Sequence, residues 1–101
     1  MATIKRISNQ EAWQYIPKRI PFKGSNLCGV RVIETGGESY VVFSYLTPIY
    51  VYNNDEGRWY GNAQRYSRTT TAHQRLAHPR TDVELVSETK LWQIIKEGVT
   101  E

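Results

Sequence analysis

Apolar and polar positions alternate with a period of two through the middle of the chain and with a period near 3.6 at its end, and this change of period sets the expected elements. In residues 39–45, Val41, Phe43 and Tyr45 fall on one side of a strand and Tyr40 and Val42 on the other. Apolar residues on both sides predict a strand covered on both faces, as a central strand is. Residues 27–34 are also rich in β-formers, and Thr35-Gly36-Gly37-Glu38 between the two stretches supplies turn glycines, which predicts a hairpin. Residues 49–52 predict a third strand. Pro48 has no N–H to give to a ladder and is expected at an edge, at a bulge or as the first residue of a strand. Asn53-Asn54-Asp55-Glu56-Gly57 concentrates turn residues, and Arg58-Trp59-Tyr60 begins a returning strand. Residues 64–70 are expected to extend the sheet and residues 83–86 to add a last short strand.

Helix signals flank this region. Ser8-Asn9-Gln10-Glu11 has the spacing of a capping box and predicts a short helix with Ala12, Trp13 and Ile16 on one side, ended by Pro17. Thr71-x-x-Gln74 repeats the spacing ahead of Ala72 and Leu76 and predicts another short helix that stops before Pro79. Ser87 is placed to cap a closing helix with Leu91, Trp92, Ile94 and Ile95 on one broad face, Lys90, Gln93, Lys96 and Glu97 opposite, and Gly98 at the C′ position. The sum is an α+β fold, a small antiparallel sheet of about five strands with an N-terminal and a C-terminal helix packed on one face. Trp13, Ile16, Leu91, Ile94 and Ile95 would form the covering layer.

At 101 residues the chain is expected to be a single domain, 1–101, and with 40% hydrophobic and 12% aromatic residues it is rich enough in large side chains to fold alone. No stretch approaches the roughly 18 apolar residues of a membrane helix, and the first residues lack a signal-peptide core, so a cytoplasmic protein with no membrane partner is expected. A solitary Cys28 excludes an internal disulfide and a cysteine-rich zinc site.

The net charge of +3 hides a segregated pattern. Lys5, Arg6, Lys18, Arg19 and Lys23 face only Glu11 in residues 1–23, whereas Glu34, Glu38, Asp55 and Glu56 outweigh Arg31 in residues 24–57. Residues 58–80 hold Arg58, Arg65, Arg68, Arg75 and Arg80 with no carboxylate, and Asp82, Glu84, Glu88, Glu97 and Glu101 dominate the rest. Blocks of this kind either steer an anionic partner or pair with one another in the fold.

Candidate chemistry concentrates in the third block. Thr69, Thr70 and Thr71, with Arg68 and Arg75 beside them, form a candidate anion site at a helix start, although simple capping explains the threonines without a ligand. Arg58, Trp59, Arg65, Tyr66, Arg68 and Arg75 are the candidate partner-binding residues, with arginines pairing to phosphates or carboxylates and rings serving as anchors. Strand alternation should bury about half of the rings among Tyr45, Tyr50, Tyr52, Trp59, Tyr60 and Tyr66. His73 and His78 lack any ligand spacing or orienting carboxylate, and Cys28 sits in an apolar strand pattern. No metal, no cofactor and no catalytic residue is expected.

Ser44-Tyr45-Leu46-Thr47-Pro48-Ile49, then Trp59, then Tyr66-Ser67-Arg68-Thr69-Thr70-Thr71-Ala72-His73-Gln74 resemble a group of small phage- and plasmid-encoded proteins with "S-Y-x-T-P-I", tryptophan and "Y-S-x-T-T-x-x-H-Q" elements. The resemblance covers about residues 40–75, leaves both ends unmatched and implies a mobile-element origin. That group has no established biochemical activity, so it supplies no catalytic residues.

The functional expectation is a non-enzymatic accessory protein of a phage or plasmid that binds a host protein, nucleoprotein or defence complex, as an anti-CRISPR-like inhibitor does. Two alternatives use the same segment. One is a sequence-tolerant nucleic-acid-binding module, and the other is a small metal-independent nuclease with His73 moving protons and Arg68 and Arg75 stabilising the phosphate. Unpaired edge strands leave room for a homodimer.

Overall fold

The structure, a computed structural model, describes residues 5–34, 37–54, 56–63, 74, 77–79 and 81–97. Seven strands form one sheet in chain order: β1 (Lys5–Arg6), β2 (Phe22–Lys23), β3 (Leu27–Glu34), β4 (Gly37–Ser44), β5 (Thr47–Asn53), β6 (Arg58–Asn62) and β7 (Val83–Val86). Neighbours from β2 to β6 are antiparallel. The two outermost pairings, β1 with β2 and β6 with β7, are parallel. A parallel pair requires a crossover rather than a tight turn, and residues 7–21 and 63–82 span those two gaps.

The crossovers decide the layers. Ala12 and Ile16 from the first and Ala77 from the second join Phe22, Leu27, Tyr40, Val42, Ile49, Tyr50 and Trp59 in one core cluster. On the other face Val41, Val51 and Tyr60 pack against Leu91, Ile94 and Ile95 of helix α1 (Glu88–Glu97). Tyr40, Val41 and Val42 are all buried, so both faces of β4 are covered. The expected antiparallel sheet with two helices on one face is therefore wrong. The sheet is mixed, and its two helical covers lie on opposite sides, because residues that alternate apolar on both sides demand a layer on each.

The N-terminal element also differs from expectation. Residues Asn9–Gln14 form a 3-10 helix, and Ser8 makes no side-chain cap. Glu11 N–H instead donates to the Ser8 carbonyl at 3.1 Å. With Pro17 so close behind, the segment is too short to repay α-helix nucleation. Ala12 and Ile16 are buried as the spacing suggested, whereas Trp13 remains 46% exposed. At the other end the capping expectation holds: Lys90 N–H donates to Ser87 Oγ at 3.1 Å, and Trp92 packs against Phe43 with ring centroids 6.0 Å apart.

Pro48 lies inside β5 beside a bulge, where the register passes from Val42↔Tyr50 to Phe43↔Pro48 and leaves Ile49 unopposed. Ile49 and Tyr50 consequently both join the same core cluster. Asn62 Nδ2 donates to the Pro48 carbonyl at 2.9 Å, which satisfies a buried acceptor where the ladder is interrupted. The strand expected over residues 64–70, the helix expected after Thr71 and the Gly98 cap lie outside the described residues.

Gly29 is required by close approach. A Cβ there would lie 2.7 Å from both Tyr40 Cζ and Phe22 Cε1, since the Tyr40 ring crosses the backbone of β3 at this point. Gly29→Ala should cost about 1–3 kcal/mol through overpacking and lower the melting temperature by roughly 4–8 °C for each kcal/mol in a domain of this size. An unchanged thermal melt would show that the ring does not lie there.

Candidate functional site

Of the candidate partner-binding residues and histidines, Arg58, Trp59 and His78 lie among the described residues. Arg65, Tyr66, Arg68, Thr69, Thr70, Thr71, His73 and Arg75 lie outside them, and with them the threonine anion site and the nuclease alternative.

Trp59 is 5% exposed, and its ring meets Tyr40 and Tyr52 edge-on at 6.2 and 5.2 Å. It is a core residue rather than a surface anchor, because β6 turns Trp59 toward the crossovers. Arg58 is exposed but lies 3.6 Å from Glu84 across the β6–β7 pair, with its guanidinium 5.9 Å from the Tyr60 ring centroid. The cleft of about 520 Å³ beside it is lined by Asp82 as well as Glu84, so among the described residues its one cation is outnumbered by acids. An exposed pair such as Arg58–Glu84 contributes at most about 1 kcal/mol.

The aromatic residues are mainly structural. Tyr50 and Tyr60 are buried, Tyr52 is half-buried, and Tyr45 is the exposed ring among the described members of the set. Tyr50 donates its hydroxyl to the Gln74 carbonyl at 2.6 Å, and Gln74 Nε2 donates to the Asn62 carbonyl at 3.1 Å. His78 stacks edge-on against Tyr50 at 5.8 Å. Cys28 is half-buried on β3, and burial pushes its thiol up, which keeps it protonated at neutral pH. Among the described residues no three His, Cys, Asp or Glu side chains converge as metal ligands.

The cations that do gather come from the first charge block and from β3. Arg6 is the register partner of Lys23 on the β1–β2 pair, and both are exposed beside a cavity of about 430 Å³ also lined by Ile7, Gly24 and Ser25. A second cleft, of about 230 Å³, is lined by Lys18, Arg19, Arg31, Glu38, Tyr40 and Asn54. Tyr40 donates its hydroxyl to the Ile20 carbonyl at 2.8 Å, and the Arg19 guanidinium lies 4.4 Å from the Tyr52 ring centroid. The sequence carried a signal for both groups in the excess of cations before residue 24. Only the fold brings Arg31 to join them.

Burial pushes the Tyr50 phenol up to about 12, and it displaces Tyr40 in the same direction. An unfolded tyrosine ionises near pH ~10. The neutral buried phenols therefore contribute stability that is complete below that pH and is lost as the pH rises toward the folded values. Tyr50→Phe should cost about 0.5–1.5 kcal/mol at neutral pH through the lost Gln74 bond, yet show a shallower alkaline fall in melting temperature than the wild type. Equal alkaline slopes would contradict this placement of Tyr50.

No helix among the described residues is long and apolar enough to cross a membrane. No curated protein and no solved structure matches the chain. A family model does match, over residues 4–92. That span is nearly the whole sequence, and the chain therefore belongs to this family of unknown function, DUF8033.

Proposed function

We propose that the protein is a non-enzymatic binding protein that occupies an anionic surface of a host nucleoprotein or defence complex in the host cytoplasm. The observation that carries this reading is the pairing of Arg6 with Lys23. These like charges sit opposite one another at the sheet edge, with no carboxylate ion pair to either among the described residues. Like charges in register destabilise a sheet, and an anionic partner relieves that repulsion. Field segregation supports the same reading, since Asp82, Glu84 and Glu88 gather at β7 and the start of α1 while Arg6, Lys18, Arg19 and Lys23 occupy the first crossover and its strands.

The contact surface of this proposal thus moves from the segment around Arg58 and Trp59 to the β1–β2 edge. The resemblance to phage and plasmid proteins supplies the setting, in which an inhibitor of the anti-CRISPR kind is the concrete form. Lysine and arginine on an edge strand also discourage strand-to-strand pairing, so this edge favours a foreign partner over a homodimer.

Affinity capture from a host lysate, with and without nuclease, compares the wild type with Arg6→Glu/Lys23→Glu. The wild type should retain a discrete protein partner, and the double variant, with an unchanged melt, should lose it by about tenfold or more. Equal retention by the two proteins rejects the surface. Capture of polynucleotide with no co-retained protein before nuclease treatment rejects a complex as the partner in favour of bare nucleic acid.

A further inference from the structure

We infer that the cleft between residues 17–20 and the open end of the β3–β4–β5 face is a binding site for a phosphoryl dianion, held by Lys18, Arg19 and Arg31. The inference rests on the reading above only for the sign of the partner's charge.

Size and charge point to the ligand class. At about 230 Å³ the cleft is smaller than the ~300–1,000 Å³ of pockets that enclose drug-sized molecules. That size admits one small group, and the charge of the lining selects an anion. Lys18, Arg19 and Arg31 line it against one carboxylate, Glu38. The excess of two positive charges matches a phosphoryl group, which carries about −1.5 to −2 at neutral pH, and exceeds what a carboxylate neutralises.

Arg19 is fixed in advance. Its backbone takes φ 57°, an uncommon conformation for a residue with a side chain, which persists where surrounding contacts over-determine it. Those contacts are present. Arg19 N–H donates to the Ile16 carbonyl at 2.9 Å, Ile20 N–H donates to the Tyr15 carbonyl at 3.0 Å, and the Tyr40 hydroxyl holds the Ile20 carbonyl at 2.8 Å. The guanidinium rests over Tyr52 and donates from Nη1 to the Pro17 carbonyl at 3.2 Å. A guanidinium has five N–H donors, so most of the fork is left to a ligand, and a pre-set fork binds without a fresh ordering cost.

Arg31 is held loosely by comparison. Its Nε lies 3.8 Å from Glu38 Oε1, beyond hydrogen-bond distance, with Arg31 exposed and Glu38 partly so. Such a pair opens readily, which lets Arg31 turn to a phosphate oxygen with Glu38 serving as the counter-ion until then. The Tyr40 hydroxyl is committed to Ile20. The Asn54 side-chain amide is a further donor at the rim, while its backbone N–H is used on the Glu38 carbonyl at 3.3 Å.

Amide chemical-shift titration with inorganic phosphate, and anisotropy of a labelled oligonucleotide ending in a 5′-phosphate or a 5′-hydroxyl, test the site. Saturable shifts should centre on Lys18, Arg19, Arg31 and Asn54. Lys18→Gln and Arg31→Gln, both at exposed positions, should each weaken binding about tenfold, the worth of one charge-assisted hydrogen bond. Glu38→Gln should tighten it severalfold by removing the opposing charge. A preference for the 5′-phosphorylated oligonucleotide over both inorganic phosphate and the 5′-hydroxyl form identifies a polynucleotide end as the source. Equal affinity for inorganic phosphate and the phosphorylated end identifies a free phosphate. Absence of saturable shifts, wild-type affinity in Lys18→Gln and Arg31→Gln, or weaker binding in Glu38→Gln overturns the proposal. Arg6→Glu/Lys23→Glu should leave phosphate binding within about twofold, so undiminished lysate capture by that variant with phosphate binding intact counts against the partner surface alone. Loss of capture by that variant with no saturable phosphate binding in the wild type counts against this cleft alone.

Discussion

A tyrosine hydroxyl donating to a backbone carbonyl ties each crossover to the sheet, and the charged cleft follows from the first of these bonds, Tyr40 to Ile20. Gly29 has no side chain, so the hydroxyl end of the Tyr40 ring passes close over β3 beside Phe22, with Trp59 edge-on to the ring. That placement carries the hydroxyl out to the crossover rather than into solvent. Ile20 is held there, Arg19 is forced to a positive φ, and its guanidinium settles over Tyr52 within reach of Lys18 and Arg31. Removal of any earlier link in this chain loosens the later ones. A buried phenol left without its acceptor would itself cost about 1–3 kcal/mol.

The second crossover is secured by the same device at the other end of the sheet. Tyr50 holds the Gln74 carbonyl, and Gln74 in turn donates to the carbonyl of Asn62, whose side chain closes the bulge at Pro48. Ala12 and Ile16 of the first crossover and Ala77 of the second share one core cluster, and among the described residues α1 packs on the opposite face. Among the described residues Tyr40 and Tyr50 serve as struts between the sheet and the crossovers, while Tyr60 packs on the other face with α1.

Much of the sheet was legible in the pattern of residues. The β3–β4 hairpin, the strands around Tyr50 and Trp59, the short strand at Val83 and the Ser87-capped helix all appear where period-two and period-3.6 spacing placed them. Pro48 also met its stated constraint by sitting beside a bulge. Three features were not legible, each for a physical reason. Parallel pairing of β1 with β2 and of β6 with β7 depends on crossovers whose course is set by tertiary packing, not by local propensity. The Ser8–Glu11 spacing reads as a capping box, yet the run to Pro17 is too short for an α-helix to nucleate. The partner of Arg58 is Glu84, distant in sequence but adjacent across a strand pair, and no linear charge count reveals such a neighbour.

That last point changes the reading of Arg58 alone, since Arg65, Arg68, Arg75 and Arg80 lie outside the described residues. The arginine at the start of the carboxylate-free stretch is paired with an acid of the chain's own C-terminal block, whereas the modest excess before residue 24 is drawn together around two clefts. The Tyr40–Ile20 bond controls the geometry of one of them, and amide hydrogen exchange in Tyr40→Phe tests it most directly. The Arg19 and Ile20 amides, bonded to Ile16 and Tyr15 in the native turn, should exchange markedly faster in the variant than in the wild type while the amides of β4 and β5 keep their protection. Unchanged exchange at Arg19 and Ile20 would contradict the account.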